Sequence, residues 1–267
     1  MRNYKIPTLT IAGSDSSGGA GVQADLKTFS AIGTYGMSVI TAITAQNTMG
    51  VFDVEELSRN IIKEQMKAVF EDIMPKAVKI GMVSSAEIVQ TIVNTLKKYN
   101  PKYLIVDPVM ISKSGYSLLR PEAKENLIKY LIPIAYLITP NVPEAEEITG
   151  MKIETVEDMK KAGKKILDLG PKYVLVKGGH LDGDAVDVLM GEDTFEVFTS
   201  ERLDRKNTHG TGCTLSSAIT SHIALGYDVV EAVRRSKKYI TEAIRHSFDI
   251  GHGVGPVNHF YKFEGIE

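Results

Sequence analysis

The chain has one cysteine, Cys213, and it stands in Thr208-His209-Gly210-Thr211-Gly212-Cys213-Thr214, just before the apolar-periodic stretch Leu215-Ser216-Ser217-Ala218-Ile219. Small residues running into such a stretch predict a glycine-rich helix start. The unpaired N–H groups of a helix N-terminus, helped by its dipole, bind anions. A thiol in the first turn has a lowered pKa, and its thiolate can take a proton from a substrate hydroxyl. A buried structural cysteine at an ordinary helix start fits the same residues. His209 and Cys213 lack two further partners at ligand spacing, which argues against zinc.

A second glycine-rich segment covers residues 13–27. Within it, Gly19-Ala20-Gly21-Val22-Gln23-Ala24 matches the G-x-G-x-x-A fingerprint. A dinucleotide site also wants an acidic residue about 20 positions on. Residues 43–48 read Ile-Thr-Ala-Gln-Asn-Thr, so that ribose partner is missing, and the Gly-Lys-Ser/Thr of a P-loop is absent too. What remains is a permissive strand-to-helix turn. It either serves the backbone alone or lets a flat ligand approach, with Asp25 in the first turns of the helix accepting a hydrogen bond from that ligand. Gln46 carries donor and acceptor on one planar amide, as an aminopyrimidine edge does. It reads either as a bidentate contact to such an edge or as a surface turn residue.

Asp107 closes an apolar run, and Asn141 and Glu144 stand a turn apart. Magnesium commonly binds through one or two carboxylates while keeping several waters, so these residues suit it. Their spacing fits a helix N-cap with its capping-box partner equally well. Lys177 ends the run Val174-Leu175-Val176 and offers a point charge suited to polyphosphate, or a solvated strand end. The glycine-rich segment 251–260 reads as a folded terminal loop whose spacing gives no chemistry.

These residues need a scaffold. Short apolar runs at 8–12, 77–80, 103–106, 136–138 and 173–176, bounded by Gly, Pro or Asp, fit buried parallel strands. Leu57, Ile61, Ile62, Met66, Val69, Phe70 and Ile73 recur at helical spacing. Further helices are predicted over about 84–99, 121–131, 155–168, 211–225 and 228–247. That alternation implies a mainly parallel sheet with helices on both faces. Segment 184–199 reads as a hairpin extending one sheet edge. The polar residues cluster where runs end, and ligands of open parallel sheets bind beyond the carboxyl ends of strands.

The 267 residues are 43% hydrophobic and 24% charged, a globular composition with no linker tract, read as one domain over 1–267. The net charge is −2 with Lys and Arg dispersed, which gives no footprint for nucleic acid. The basic group Arg234, Arg235, Lys237 and Lys238 reads as a solvated helix face. One cysteine allows no internal disulfide. The first residues carry no apolar signal region, and no run approaches the ~18 apolar residues of a membrane span. The expectation is a cytoplasmic protein.

Taken together, residues 13–29, 45–50, 79–82, 107–115, 139–145, 175–180, 209–219 and 251–260 resemble the hydroxymethylpyrimidine/phosphomethylpyrimidine kinases of thiamine biosynthesis, within the ribokinase superfamily. The likeness runs nearly end to end. It implies a three-layer α/β/α ribokinase-like fold, a homodimer, ATP and Mg²⁺, and two successive phosphorylations of a small pyrimidine. By likeness, Gly13, Asp25, Gln46, Met82 and Val109 line the pyrimidine pocket. Lys177 and Thr211 contact ATP phosphates, with Asp107, Asn141 and Glu144 near the magnesium. Gly210, Gly212 and Cys213 form the anion hole and its adjoining base. Much of the superfamily has Asp where this chain has Cys213. An ordinary thiol has a pKa of about 8.5, so the base role requires the helix to lower it. Pyridoxal kinases of the same branch share these motifs, and Gln46 favours the pyrimidine. A non-catalytic pyrimidine or nucleotide binder would have no need of a proton acceptor beside an anion site.

Overall fold

The computed structural model describes residues 5–110, 121–179 and 183–263. The segments 107–115 and 175–180 quoted above therefore lie partly outside the described residues. In chain order the elements are β1 (Pro7–Asp15), α1 (Gly21–Ile32), β2 (Tyr35–Asn47), β3 (Gly50–Glu56), α2 (Arg59–Asp72), β4 (Ala77–Ile80), α3 (Ala86–Tyr99) and β5 (Leu104–Val106). Then follow α4 (Pro121–Asn126), β6 (Leu137–Ile138), α5 (Val142–Thr149), α6 (Val156–Leu167), β7 (Tyr173–Lys177), β8 (Ala185–Gly191), β9 (Thr194–Ser200), α7 (Thr211–Ala224) and α8 (Val229–Arg245).

The strands form one nine-stranded sheet in the order β3-β2-β1-β4-β5-β6-β7-β8-β9. Neighbours from β2 to β7 pair parallel, while β3, β8 and β9 add antiparallel strands at the two edges. The β8–β9 hairpin stands where the alternation around 184–199 puts it. The period-two alternation of a strand then sorts the core. Val78, Ile80, Leu104, Val106, Ile138, Val174 and Val176 pack on one face with residues of α2, α3, α5 and α6. Ala77, Ile105, Leu137 and Leu175 pack on the other with α7 and α8. This is the three-layer α/β/α arrangement.

The strand order reverses direction at β1, between β2 and β4, the kind of switch point where open α/β sheets bind ligands. Two β-bulges flank it. The β1–β2 register shifts between Ala12 and Ser14, and the β2–β3 register shifts between Ala45 and Gln46. Bulges re-aim side chains next to binding sites, and these two set Gly13 and Gln46. β2 and β3 carry no clear apolar run, because β2 mixes Gly, Ser and Thr into its alternation and continues past β1 as a projecting hairpin.

The predicted solvated face of α8 needs a correction. Arg234 and Arg235 are exposed and pair with Glu231, but Lys237 is buried and donates to Asp187 Oδ2 at 2.6 Å and to the Ala185 carbonyl at 2.9 Å. No helix of the described residues is long and apolar enough to cross a membrane.

Candidate active site

A cavity of about 680 Å³ opens at the carboxyl ends of the parallel strands, within the ~300–1,000 Å³ range of small-molecule pockets. One wall is the start of α7. Gly210 caps this helix with φ 77°, and the first helical bond runs from the Thr214 N–H to the Gly210 carbonyl at 2.8 Å. The Gly212 and Cys213 N–H groups have no backbone or side-chain partner among the described residues. They are donors left for a ligand. Glycine is required here by contact as well as by φ: a Cβ on Gly210 would lie 1.8 Å from the Gly19 carbonyl oxygen, and one on Gly19 would lie 2.3 Å from the His209 ring. The two glycine-rich segments pack backbone against backbone.

Lys177 and Asp107 stand beside this helix start. A Cβ on Gly212 would meet Lys177 Nζ at 3.6 Å and Asp107 Oδ2 at 3.7 Å. Lys177 donates to Asp107 Oδ1 at 2.9 Å, where Thr139 also donates, and Ser216 donates to Oδ2. Burial alone would raise the Asp107 carboxyl, but Lys177 and then Lys79 hold it below the usual range. Burial pushes Glu144 up to about 7, with Asp107 adding to the rise and Lys177 opposing it.

Asn141 and Glu144 form a complete capping box at the start of α5. The Asn141 N–H donates to Glu144 Oε2 at 2.8 Å and the Glu144 N–H to Asn141 Oδ1 at 2.9 Å. Both residues also line the cavity. Among the described residues no three His, Cys, Asp or Glu side chains gather as a metal cage. The donor set suits an ion that arrives on a polyphosphate and keeps its waters, not one held by protein ligands alone.

At the other wall Gly13, Gln46, Met82 and Val109 line the cavity, with Thr211 and the residues of the α7 start completing it. A Cβ on Gly13 would press on Met82 Sδ at 3.2 Å. The Gln46 amide lies between Thr44 Oγ1 at 3.2 Å and His209 Nε2 at 3.4 Å.

Two expectations are corrected. Asp25 does not face the cavity. It is fully buried, accepts from Lys79 Nζ at 3.0 and 2.9 Å, and takes hydroxyl bonds from Thr10 and Ser217 at 2.6 Å each. The first turns of α1 point this side chain at the sheet, where the Lys79 ammonium occupies it. Cys213 does line the cavity, but burial pushes its thiol up to about 11. Lys79 and a hydrogen bond from the Gly21 N–H pull it down; Asp25 and Asp107 push it further up. Desolvation outweighs the helix terminus.

Some cavity residues carried little signal in the sequence. Lys79 sits inside an apolar strand, and that mismatch was the one available clue. Asp15 and His209, with Nε2 2.9 Å from Asp15 Oδ2, show nothing of their pairing across 194 positions. The segment 251–260 is a strap: Gly253 and Val254 donate to Thr48, while His209 donates to Gly255. It ties the Gln46 hairpin to the glycine-rich turn at the start of α7.

This is the architecture of the ribokinase-like kinases. The chain belongs to the phosphomethylpyrimidine kinase family, whose model matches residues 15–258. It is 46% identical to a hydroxymethylpyrimidine/phosphomethylpyrimidine kinase of Staphylococcus aureus, over 97% of this chain and 96% of that one. It is 48% identical to the thiamine biosynthesis bifunctional protein ThiED of Geobacter sulfurreducens, over 97% of this chain but only 53% of that longer one. Among solved structures, the phosphomethylpyrimidine kinase of Clostridium difficile is 73% identical with a TM-score of 0.82, covering 90% of this chain and 99% of that one. The pyridoxal kinase of Staphylococcus aureus, solved with AMP-PCP and pyridoxal, superposes with a TM-score of 0.88 at 38% identity, covering 98% and 96%.

Proposed function

We propose that the chain moves the γ-phosphoryl group of ATP to the hydroxymethyl arm of 4-amino-5-hydroxymethyl-2-methylpyrimidine, and then extends the monophosphate to the diphosphate, in thiamine biosynthesis. The observation that carries this reading is that a reader of a polar ring edge, Gln46, and the unbonded amides of α7 open on one cavity. The names of the kinase relatives support it.

In this reading Gly13, Met82 and Val109 enclose the ring. The Gly210–Gly212 turn and its amides stabilise the migrating phosphoryl group, and Lys177 and Thr211 hold the ATP phosphates. Asp107 keeps Lys177 charged and in place. Magnesium, when bound, neutralises phosphate charge; Asn141 and Glu144 would hold it through water. Phosphoryl transfer rests mainly on positioning and charge stabilisation, so a resting thiolate is not required. Cys213 stands beside the accepting alcohol mainly as a thiol; its minor thiolate form takes the hydroxyl proton as the new O–P bond forms and then releases it to solvent. Asp25 acts one layer back, by fixing Lys79.

We further propose one kinase domain over residues 1–267, working in the cytoplasm as a homodimer. The apolar side chains Ile43, Met49 and Phe52, each at least half exposed on the β2–β3 hairpin, support a second copy there.

The likeness to pyridoxal kinases favours a second reading, phosphorylation of pyridoxal, alone or beside the pyrimidine. Incubation with ATP, Mg²⁺ and either compound, followed by counting the phosphates added, separates them. Two phosphates on the pyrimidine support the proposal. One on pyridoxal and none on the pyrimidine overturns it.

A further inference from the structure

An amide side chain presents its oxygen and its nitrogen in one of two orders, and the order is assigned from its hydrogen-bond partners. Gln46 has two such partners, and both can be settled from their own bonds.

The first is His209. Asp15 Oδ1 accepts from the Ser17 N–H at 2.9 Å and the Ser17 hydroxyl at 2.7 Å. Its Oδ2 accepts from the N–H groups of Gly19 at 3.1 Å and Ala20 at 2.8 Å. Burial opposes ionisation, but His209, Ser17 and Ala20 hold the Asp15 carboxyl down at about 2. An ionised carboxylate only accepts. His209 Nε2, 2.9 Å from Oδ2, therefore carries hydrogen whether the ring is neutral or charged. An NH₂ group placed 3.4 Å from that nitrogen would set donor against donor.

The second partner is Thr44. Its single hydroxyl proton goes to the Ser14 carbonyl at 2.8 Å. As placed, Gln46 Oε1 faces Thr44 Oγ1 at 3.2 Å and Nε2 faces His209; with the one hydroxyl proton on the shorter bond to Ser14, Thr44 Oγ1 is left as an acceptor and calls for the NH₂ group in place of that oxygen. The two partners thus demand the same orientation.

We propose that Thr44 and the Asp15–His209 pair turn the Gln46 amide with its carbonyl toward His209 and its NH₂ toward Thr44, making these three residues positioning residues for substrate choice. The site then selects a ring edge with an exocyclic amine on the His209 side and a ring acceptor nitrogen on the Thr44 side. The inference rests on the aminopyrimidine reading above. A 4-oxo pyrimidine in its lactam form presents the reverse order, acceptor then donor, and needs the amide turned over.

The test compares kcat/KM for 5-hydroxymethyl-2-methylpyrimidine bearing a 4-amino or a 4-oxo group. The wild-type protein prefers the amine. Thr44→Val and His209→Phe each free the amide and lower that preference by about tenfold, a factor set by one mispaired polar contact. The loss falls on KM for the pyrimidine and leaves KM for ATP in place. His209→Gln, whose NH₂ carries two hydrogens and can meet both the Asp15 carboxylate and the Gln46 carbonyl, keeps the preference. Unchanged preference in folded Thr44→Val and His209→Phe overturns the proposal. Neutron diffraction of the ligand-free protein reads the amide directly. Deuterons of the NH₂ on the His209 side refute the orientation even if neither pyrimidine turns over, an outcome that would count against the substrate reading instead.

Discussion

Replacing Lys79 by Met isolates the cost of a charge buried beneath the active site. Both Lys79 and Asp25 are fully inaccessible, with the ammonium 3.0 and 2.9 Å from the two carboxylate oxygens. Methionine keeps the stem volume and removes the charge. Asp25 then retains only the hydroxyls of Thr10 and Ser217. Removing one member of a buried pair costs about 3–5 kcal/mol, and the surviving hydroxyl bonds place this case near 3. At about 2–4 °C per kcal/mol for a chain of this size, Tm falls by roughly 6–12 °C. Burial alone would lower the Lys79 pKa, but Asp25 and then Cys213 hold it well above the lysine norm. Below that raised pKa the lysine stays charged, so its contribution to the wild-type protein is flat across pH 6–9. The double variant Lys79→Met/Asp25→Asn removes both charges and leaves a neutral amide that bonds both hydroxyls, so it recovers most of the stability. The assay is urea unfolding followed by two probes, completed as a double-mutant cycle. A Lys79→Met variant within about 1 kcal/mol of wild type, or a double variant as unstable as the two singles summed, would refute the reasoning.

Glu144→Gln tests the buried carboxyl. A pKa raised to about 7 means the folded state is favoured most below the unfolded value and loses that advantage as pH rises through 7. The Gln variant is therefore more stable than wild type at pH 8, and pH-dependent unfolding curves should converge on going down toward pH 4.5. Cys213 alkylation by iodoacetamide is slow at pH 7.5 and accelerates up to about pH 11; fast labelling at neutral pH would contradict a burial-raised thiol. Cys213→Ala slows the first phosphorylation severely and leaves ATP affinity nearly intact, read by single-turnover kinetics beside nucleotide titration. Gly253→Ala places a Cβ 1.8 Å from the Thr48 carbonyl oxygen; the strap must shift, and KM for the pyrimidine rises more than KM for ATP.

The sequence determined most of what is periodic or local. Apolar runs marked β1, β4, β5, β6 and β7, helical spacing marked α2, α3, α6, α7 and α8, and glycine clusters marked the two turns that hold the cavity, because each pattern reports a face or a backbone conformation within a few residues. The capping box of Asn141 and Glu144 was legible for the same reason. Only the tertiary structure decided where Asp25 points, because a carboxylate in the first turns of a helix can face ligand or sheet, and a lysine 54 positions away settles it. The same holds for Cys213. A helix start lowers a thiol's pKa, but burial, with Asp25 and Asp107 nearby, outweighs that and the opposing pull of Lys79, and desolvation depends on the packing of the whole fold. Pairings such as Asp15 with His209, or Thr48 with the terminal strap, join segments far apart in the chain. No local pattern encodes them, because their partners meet only when the sheet is assembled.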